Sequence, residues 1–377
     1  MEVSPKSGLV AIAYANGRVR VVIIDTWEAV KEFSFPEPEQ DSSVKLDGEV
    51  EPLRVRFSPD GRVLAVSHLS RIYAYDVSTW QAAGSLGIEG EDTMRPIVPV
   101  PELMRRSDHE PPQSENPAEY QAREWHKRRQ MGDGRTRITD FAFTKDNRFI
   151  VASYSRGSCF DQLQGISTCD AGDSDPLRLW ELATGRIAWE FVYGSDRVAG
   201  RVRPSPDGTR CIVAVKAKGR WWIHGHEMRS GGEMYSVFVS KGLDTPDIFF
   251  LPSGEEFFSL WDPFPPPPEK HGQRPKRILW KFGIFDVSDG SKVGEFSDKE
   301  QLSRAALSPD GRLLAATSWG SSCFKLYDVP SRRALNHIIP FKARGSIAFL
   351  RFATDGKRVL AVDSRKWRLA LFEIENR

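Results

Sequence analysis

Hydrophobic positions in this chain come in short runs broken by turn-forming clusters, and one phrase recurs from end to end. It is fullest at Leu307 to Asp328, LSPDGRLLAATSWGSSCFKLYD, where a turn on Asp310-Gly311 leads into an apolar run. A second small turn and a second strand ending in Tyr327-Asp328 complete it. Variants read VSPKSGLVAIAYA from Val3, FSPDGRVLAVSH from Phe57, FTKDNRFIVASY from Phe143 and PSPDGTRCIVAV from Pro204. LPSGEEFFSLW from Leu251 and FATDGKRVLAVD from Phe352 extend the series. Proline presets φ, aspartate bonds its own backbone and glycine accepts positive φ, so Ser-Pro-Asp-Gly is turn chemistry. Short branched runs on either side of such a turn predict a hairpin.

A third strand follows each hairpin and ends in a bulky apolar residue plus an acid: Ile24-Asp25, Tyr75-Asp76, Trp180-Glu181, Phe285-Asp286, Tyr327-Asp328 and Phe372-Glu373. A polar turn and a fourth strand come next, as in AVKEFSF, RIAWEFV and KVGEFS. Four antiparallel strands repeated about seven times predict an all-β fold, a seven-bladed β-propeller in one domain. Such a sheet cannot bury both faces alone and must pack against neighbouring copies. The units fall at approximately 1–36, 50–88, 137–193, 198–240, 245–297, 302–340 and 345–377. Four stretches stand outside the repeat: 37–49, 89–136, 155–176 and 262–277. The remainder divides into seven units of about 40 residues, the period of propeller blades.

With its SPDG-type turns and the aromatic-acid pairs closing its third strands, the chain resembles the WD40-repeat family over nearly its whole length. It departs from that family in that no blade ends in Trp-Asp and no Gly-His dipeptide opens one. The resemblance implies a ring fastened by an N-terminal strand that completes the last blade. Here the chain starts at the innermost strand of the first unit and stops after the third strand of the last. Either the last blade has three strands and an exposed edge, or the sequence is a piece of a longer chain; the second is the favoured expectation.

In a four-stranded meander the first-to-second and third-to-fourth turns share one rim of the disc. The second-to-third turns and blade links share the other. All four irregular stretches therefore map to one rim, and long loops on a rigid scaffold usually carry function. The simple turn tips on that rim are basic: Arg18, Arg71, Arg156, Lys216, Lys218, Arg220, Arg365 and Lys366. Acids at Asp363, Asp262, Asp170, Asp173 and Asp175 offset them in part. Trp221, Trp261, Trp319 and Trp367 sit beside the tips, and Trp with Arg suits an interface; blade packing is the alternative use of these aromatics. Arg71, Lys218, Arg220, Trp319, Arg365, Lys366 and Trp367 are the candidate partner-binding residues. Residues 89–136 are rich in Pro, Glu and Arg and are expected to be disordered or lid-like, with a short helix starting at Asn116-Pro117. Phe264-Pro265-Pro266-Pro267-Pro268 predicts a stiff polyproline rod that an aromatic groove could bind.

Composition narrows the function classes. Lys and Arg exceed Asp and Glu by only two among 377 residues, which argues against a polybasic nucleic-acid or membrane protein. No charged start followed by an apolar stretch marks a signal peptide, and no run reaches membrane-spanning length. Cys159, Cys169, Cys211 and Cys323 are too few for a disulfide framework. An intracellular protein, cytoplasmic or nuclear, is expected. His224-Gly225-His226 puts two imidazoles on one strand face without a third ligand nearby, and Asp170, Asp173 and Asp175 lack calcium-loop spacing. Neither metal nor cofactor is expected. No nucleophile elbow, phosphate loop or dinucleotide motif occurs. The innermost strands read VRF, FAF, IFF, AAL and FLRF; taken as largely apolar, they disfavour a catalytic pocket in the channel. The expected function is non-enzymatic, a scaffold whose loop-rich face binds a protein partner, one with an acidic or phosphorylated segment suiting the basic tips. A propeller hydrolase or lyase with a channel-mouth site is the alternative. A second alternative is nucleic-acid or phosphopeptide binding through the basic tips.

Overall fold

The computed structural model describes residues 1–14, 17–35, 53–87, 136–156, 176–194, 197–240, 245–261, 281–296, 302–318, 323–340, 347–363 and 369–374. These form seven antiparallel sheets in chain order, six of four strands and a seventh of three. The sheets run Glu2–Ser34, Arg54–Leu86, Thr136–Val192, Arg197–Ser240, Ile248–Phe296, Leu302–Pro340 and Ile347–Glu373, and are blades 1 to 7 below. The fold is the seven-bladed propeller that the repeats predict, and the last blade is the three-stranded one.

Successive side chains on a strand point to opposite faces, and this rule builds the ring. On the second strands, Leu64 packs with blade 1 and Ala65 with blade 3. Val213 faces blade 3 while Ile212 faces blade 5, and Leu314 faces blade 5 while Ala315 faces blade 7. Every blade is thus apolar on both faces, and seven buried clusters fill the seven seams. The last seam closes the ring: Val10, Val22 and Ile24 of blade 1 pack on Ala353 and Leu360 of blade 7. Among the described residues no strand is exchanged there. Blade 7 meets blade 1 through apolar contact, reinforced at the surface by Arg358 and Asp25 at 2.6 Å.

The turn chemistry is uniform. In blades 2, 3, 4 and 6 the Ser or Thr hydroxyl donates to the acid two residues on and accepts the N–H five residues on. The pairs are Ser58 with Asp60 and Val63, Thr144 with Asp146 and Phe149, Ser205 with Asp207 and Arg210, and Ser308 with Asp310 and Leu313. Each turn is therefore locked by its own side chains. The acids closing the third strands are equally local. Asp76 accepts from the backbone N–H groups of Ser78 and Thr79 at 2.9 Å, and Asp286 and Asp328 cap the same turn in blades 5 and 6. Blade 1 is displaced by two residues. Its Ile23 takes the position of Asp76 in the backbone pattern, which frees Asp25 for Arg358.

Blade 4 carries the His-Gly-His motif on its third strand, and both imidazoles are engaged inside the protein. His226 bonds the Tyr193 hydroxyl through Nε2 at 2.7 Å and the Gly231 carbonyl through Nδ1 at 3.0 Å. His224 Nδ1 lies 3.1 Å from Glu233. Gly225 is required by packing, because a Cβ there would stand 2.3 Å from the Tyr235 ring. Both histidines are buried. Burial pushes His226 down to about 4, only partly opposed by the Gly231 bond and the Glu233 charge.

Two predictions follow from these local arrangements. In the third-to-fourth turns, a glycine with positive φ closes blades 3, 4 and 5 at Gly185, Gly231 and Gly290, but blades 1 and 2 use Trp27 and Trp80 at φ near 60°. A non-glycine residue in this region costs about 1 kcal/mol or more. Trp27 is 40% exposed, so Trp27→Gly should raise stability by about 1 kcal/mol in urea unfolding. Trp80→Gly should not, since Trp80 packs against Phe33. For His226, the folded value lies below the unfolded 6.5. The unfolded chain therefore binds the extra proton, and stability falls as pH drops from about 6.5 towards 4. The loss should reach about 3 kcal/mol, and His226→Gln should flatten that part of the stability–pH curve.

Candidate functional site: the central channel and the two rims

The strand ends flanking all four irregular stretches lie on one rim. Arg156 and Pro176 end the second and third strands of blade 3, and Trp261 and Lys281 do so in blade 5, both opposite the short Ser-Pro-Asp-Gly turns. Ser34 and Leu86, which end the fourth strands of blades 1 and 2, share that side. The irregular stretches themselves, with Phe264, Pro265, Pro266, Pro267 and Pro268, fall outside the described residues apart from their ends.

Of the candidate partner-binding residues, Arg71, Lys218 and Arg220 are described, and Trp319, Arg365, Lys366 and Trp367 are not. Lys218 and Gly219 form a two-residue hairpin turn with positive φ at both positions, the type that suits the twist of the flanking strands. That turn presents Lys218 and Arg220 to solvent. Arg71 follows a turn through Leu69, which also has positive φ. It is half-buried, with its stem against Gly87. One neighbouring expectation needs correction, and one alternative is decided. Lys216 is no tip residue: it is buried, with its ammonium 5.5 Å from the Trp221 ring. Trp221 is itself fully buried between blades 4 and 5. Their positions in the middle of an apolar seam give them packing roles.

The channel also differs from the apolar lining expected. In the innermost strands the apolar residues face the blade seams, and the alternate positions bring charges to the axis. Two residues before the turn serine or its counterpart stand Glu2, Arg56, Arg203 and Arg351; four residues before it stand Arg54, Asp140, Arg201, Asp247 and Arg304. In the second set the sign alternates from blade 2 to blade 6. Asp140 is the centre of this group. It receives Arg56 of blade 2 and Arg203 of blade 4, each at 2.7 Å, and the Val202 N–H at 3.3 Å. Glu2 lies 3.3 Å from Arg56 and 4.0 Å from Arg351. Asp247 pairs with Arg201 and accepts the Ala305 N–H at 3.2 Å. Thr139 and Ser153 add neutral bonds to the carbonyls of Ala199 and Gly200.

Burial alone would raise the Asp140 carboxyl, but the charges of Arg56 and Arg203 overcome it and hold the group well below the usual carboxylate range. Asp140 is thus a permanent anion and a poor proton acceptor. Burial, together with Arg203 and Arg304, acts the other way on Arg201 and lowers its value well below the ordinary one. A cavity of about 330 Å³ opens among these groups, lined by Glu2, Arg56, Ala142, Arg203, Phe249 and Arg351, with Pro59 and Pro204 at its mouth. Pro59 lies in the first-to-second turn of blade 2 and Pro204 ends the first strand of blade 4 next to that turn, so the cavity opens on the short-turn rim. A larger hollow of about 600 Å³ lies at the edge of blade 4, against Asp207, Arg210, Glu227 and Glu233. The charges were present in the sequence as the second residue of VRF and the third of FLRF; their spacing from the turn serine is the signal that places them on the axis.

No family model matches the chain, and no curated protein matches it in sequence. Solved structures do match it in fold. The β-propeller domain of Cps50 (Swd1) from Myceliophteria thermophila is 10% identical, with 99% of this chain and 96% of that one covered at a TM-score of 0.59. Hydrazine synthase from Kuenenia stuttgartiensis is 13% identical, with 99% and 94% covered and a TM-score of 0.63. A chain of the mitotic checkpoint complex is 11% identical, with 100% and 86% covered and a TM-score of 0.60. Identity this low speaks to the fold alone, and that fold is a WD40-like seven-bladed propeller.

Proposed function

We propose that the chain is a non-enzymatic scaffold that binds a protein partner through its loop-rich rim. The observation that carries this reading is the asymmetry of the ring. One rim is made of short turns locked by their own serine and aspartate side chains, while the strand ends flanking every irregular stretch lie on the other. A rigid disc with its variable segments gathered on one side has the form of a recognition platform. One similar structure is a chain of a multiprotein complex by its title, which supports a protein partner.

Arg71, Lys218, Arg220, Arg365 and Lys366 are the charged contacts, with Trp319 and Trp367 as aromatic anchors. Their charge favours a partner segment that is acidic or phosphorylated. The hydrolase or lyase reading draws support from the charges in the channel and from the similarity to a chain named for an enzyme. It is weakened by Asp140, whose carboxylate is held ionised between two arginines and so is unsuited to general-base work.

Replacing Arg71, Lys218, Arg220, Arg365 and Lys366 together by Glu tests the proposal. The variant should keep the β-sheet circular dichroism of the parent and lose a partner that the parent retains in a pull-down. Trp27→Gly, on the opposite rim, should retain it. Undiminished capture by the charge-reversed variant would sink the assignment.

A further inference from the structure

The channel has an occupant chemistry of its own, distinct from the loop-rich rim. Among the described residues its lining gathers six guanidinium groups, Arg54, Arg56, Arg201, Arg203, Arg304 and Arg351, against three carboxylates, Glu2, Asp140 and Asp247. Concentrating like charge in a partly desolvated space is costly unless an anion balances it. The arginines are held apart from one another by the acids between them. Arg56, Arg203 and Arg351 are further steadied by donating to the carbonyls of Val55, Val202 and Leu350 on their own strands, and all three line the cavity. Guanidinium groups present paired N–H donors whose geometry matches phosphate oxygens.

The cavity has a size and a door. Its 330 Å³ lies at the small end of the range for small-molecule sites, and Arg56, Arg203 and Arg351 reach it from blades 2, 4 and 7. Three donors arriving from separated directions around one axis suit a compact ligand with several anionic groups better than a single carboxylate. The ring of Phe249 supplies an apolar wall on blade 5. The mouth at Pro59 and Pro204 opens on the rim away from the irregular stretches, so occupancy does not depend on them.

We propose that the short-turn mouth of the channel binds a compact small molecule carrying several phosphate groups, held by Arg56, Arg203 and Arg351. Arg351 is the residue to probe. Its contact with Glu2 is long, at 4.0 Å, whereas Arg56 and Arg203 also hold Asp140.

Inorganic triphosphate is the probe, added to the full chain at low ionic strength and followed by calorimetric titration and thermal unfolding. One triphosphate should bind per chain and raise the midpoint by a few degrees. Arg351→Gln should weaken binding at least about tenfold, the worth of charge-assisted hydrogen bonds. Arg351→Lys, which keeps the charge but loses the fork, should give an intermediate loss and carries the test if the Gln variant does not fold. Lys218→Glu with Arg220→Glu, on the loop-rich rim, should leave triphosphate binding unchanged. The proposal fails if triphosphate does no more than chloride at matched ionic strength, or if Arg351→Gln binds as the parent does. It also fails if a singly phosphorylated peptide binds at the same arginines more tightly than triphosphate, which would assign the mouth to a partner protein. Because the two rims are varied separately, failure here leaves the scaffold proposal standing, and loss of partner capture leaves this one untouched.

Discussion

Each blade is apolar on both faces, and the rest of the architecture follows from that constraint. A sheet with Leu64 on one face and Ala65 on the other cannot end at solvent on either side, and burying both faces requires a neighbour in each direction. Repeated around a circle, the requirement is met only when the last blade returns to the first. Val10, Val22 and Ile24 against Ala353 and Leu360 satisfy it, with no strand shared among the described residues. The seam is made of the same kind of contact as the other six. The salt bridge between Arg358 and Asp25 lies at the surface, where ion pairs contribute little, so apolar contact dominates closure.

Closing the ring determines what stands on the axis. Side chains of the innermost strands that do not enter a seam have only the channel to face, and there the chain places charge. Asp140 links blades 2, 3 and 4 through Arg56 and Arg203, and Asp247 links blades 4, 5 and 6 through Arg201 and the Ala305 N–H. The inner strands are thereby tied by ion pairs while the outer parts of the blades are held by apolar packing. The rims divide the remaining tasks. Turns that bond to themselves make one rim short and stiff, and the strand ends at the other carry the irregular stretches.

The fold was legible because its signals are local. A Ser-Pro-Asp-Gly turn needs only neighbours in sequence, and Ser58, Ser205 and Ser308 make the bonds that the motif implies. The site was harder to read for a physical reason. Innermost strands of mixed composition look apolar when counted, yet a period of two sends Val55 and Phe57 into a seam and leaves Arg56 to the channel. Lys216 misled in the opposite sense, and Trp221 was open to either use, since adjacency to an exposed turn does not reveal that a side chain points back into the blades. Asp25 matched the aromatic-acid pattern but sits two residues out of register, a shift that only the backbone pairing discloses. The two histidines of blade 4 are accounted for by Tyr193 on the neighbouring blade and by Gly231 and Glu233 across the turn to the next strand, contacts that depend on the pairing of strands and blades.

The central claim is that the axis is held by a connected charge network with Asp140 at its hub. Equilibrium urea unfolding of Asp140→Asn tests it most directly, because the substitution keeps the shape of the side chain and removes the charge that both arginines share. Leaving two partly buried guanidinium groups without the buried anion they share should cost about 3 kcal/mol, with the denaturant slope unchanged. A loss below about 1 kcal/mol, the range of exposed pairs, would mean that the channel charges are solvated and independent, and would contradict the account.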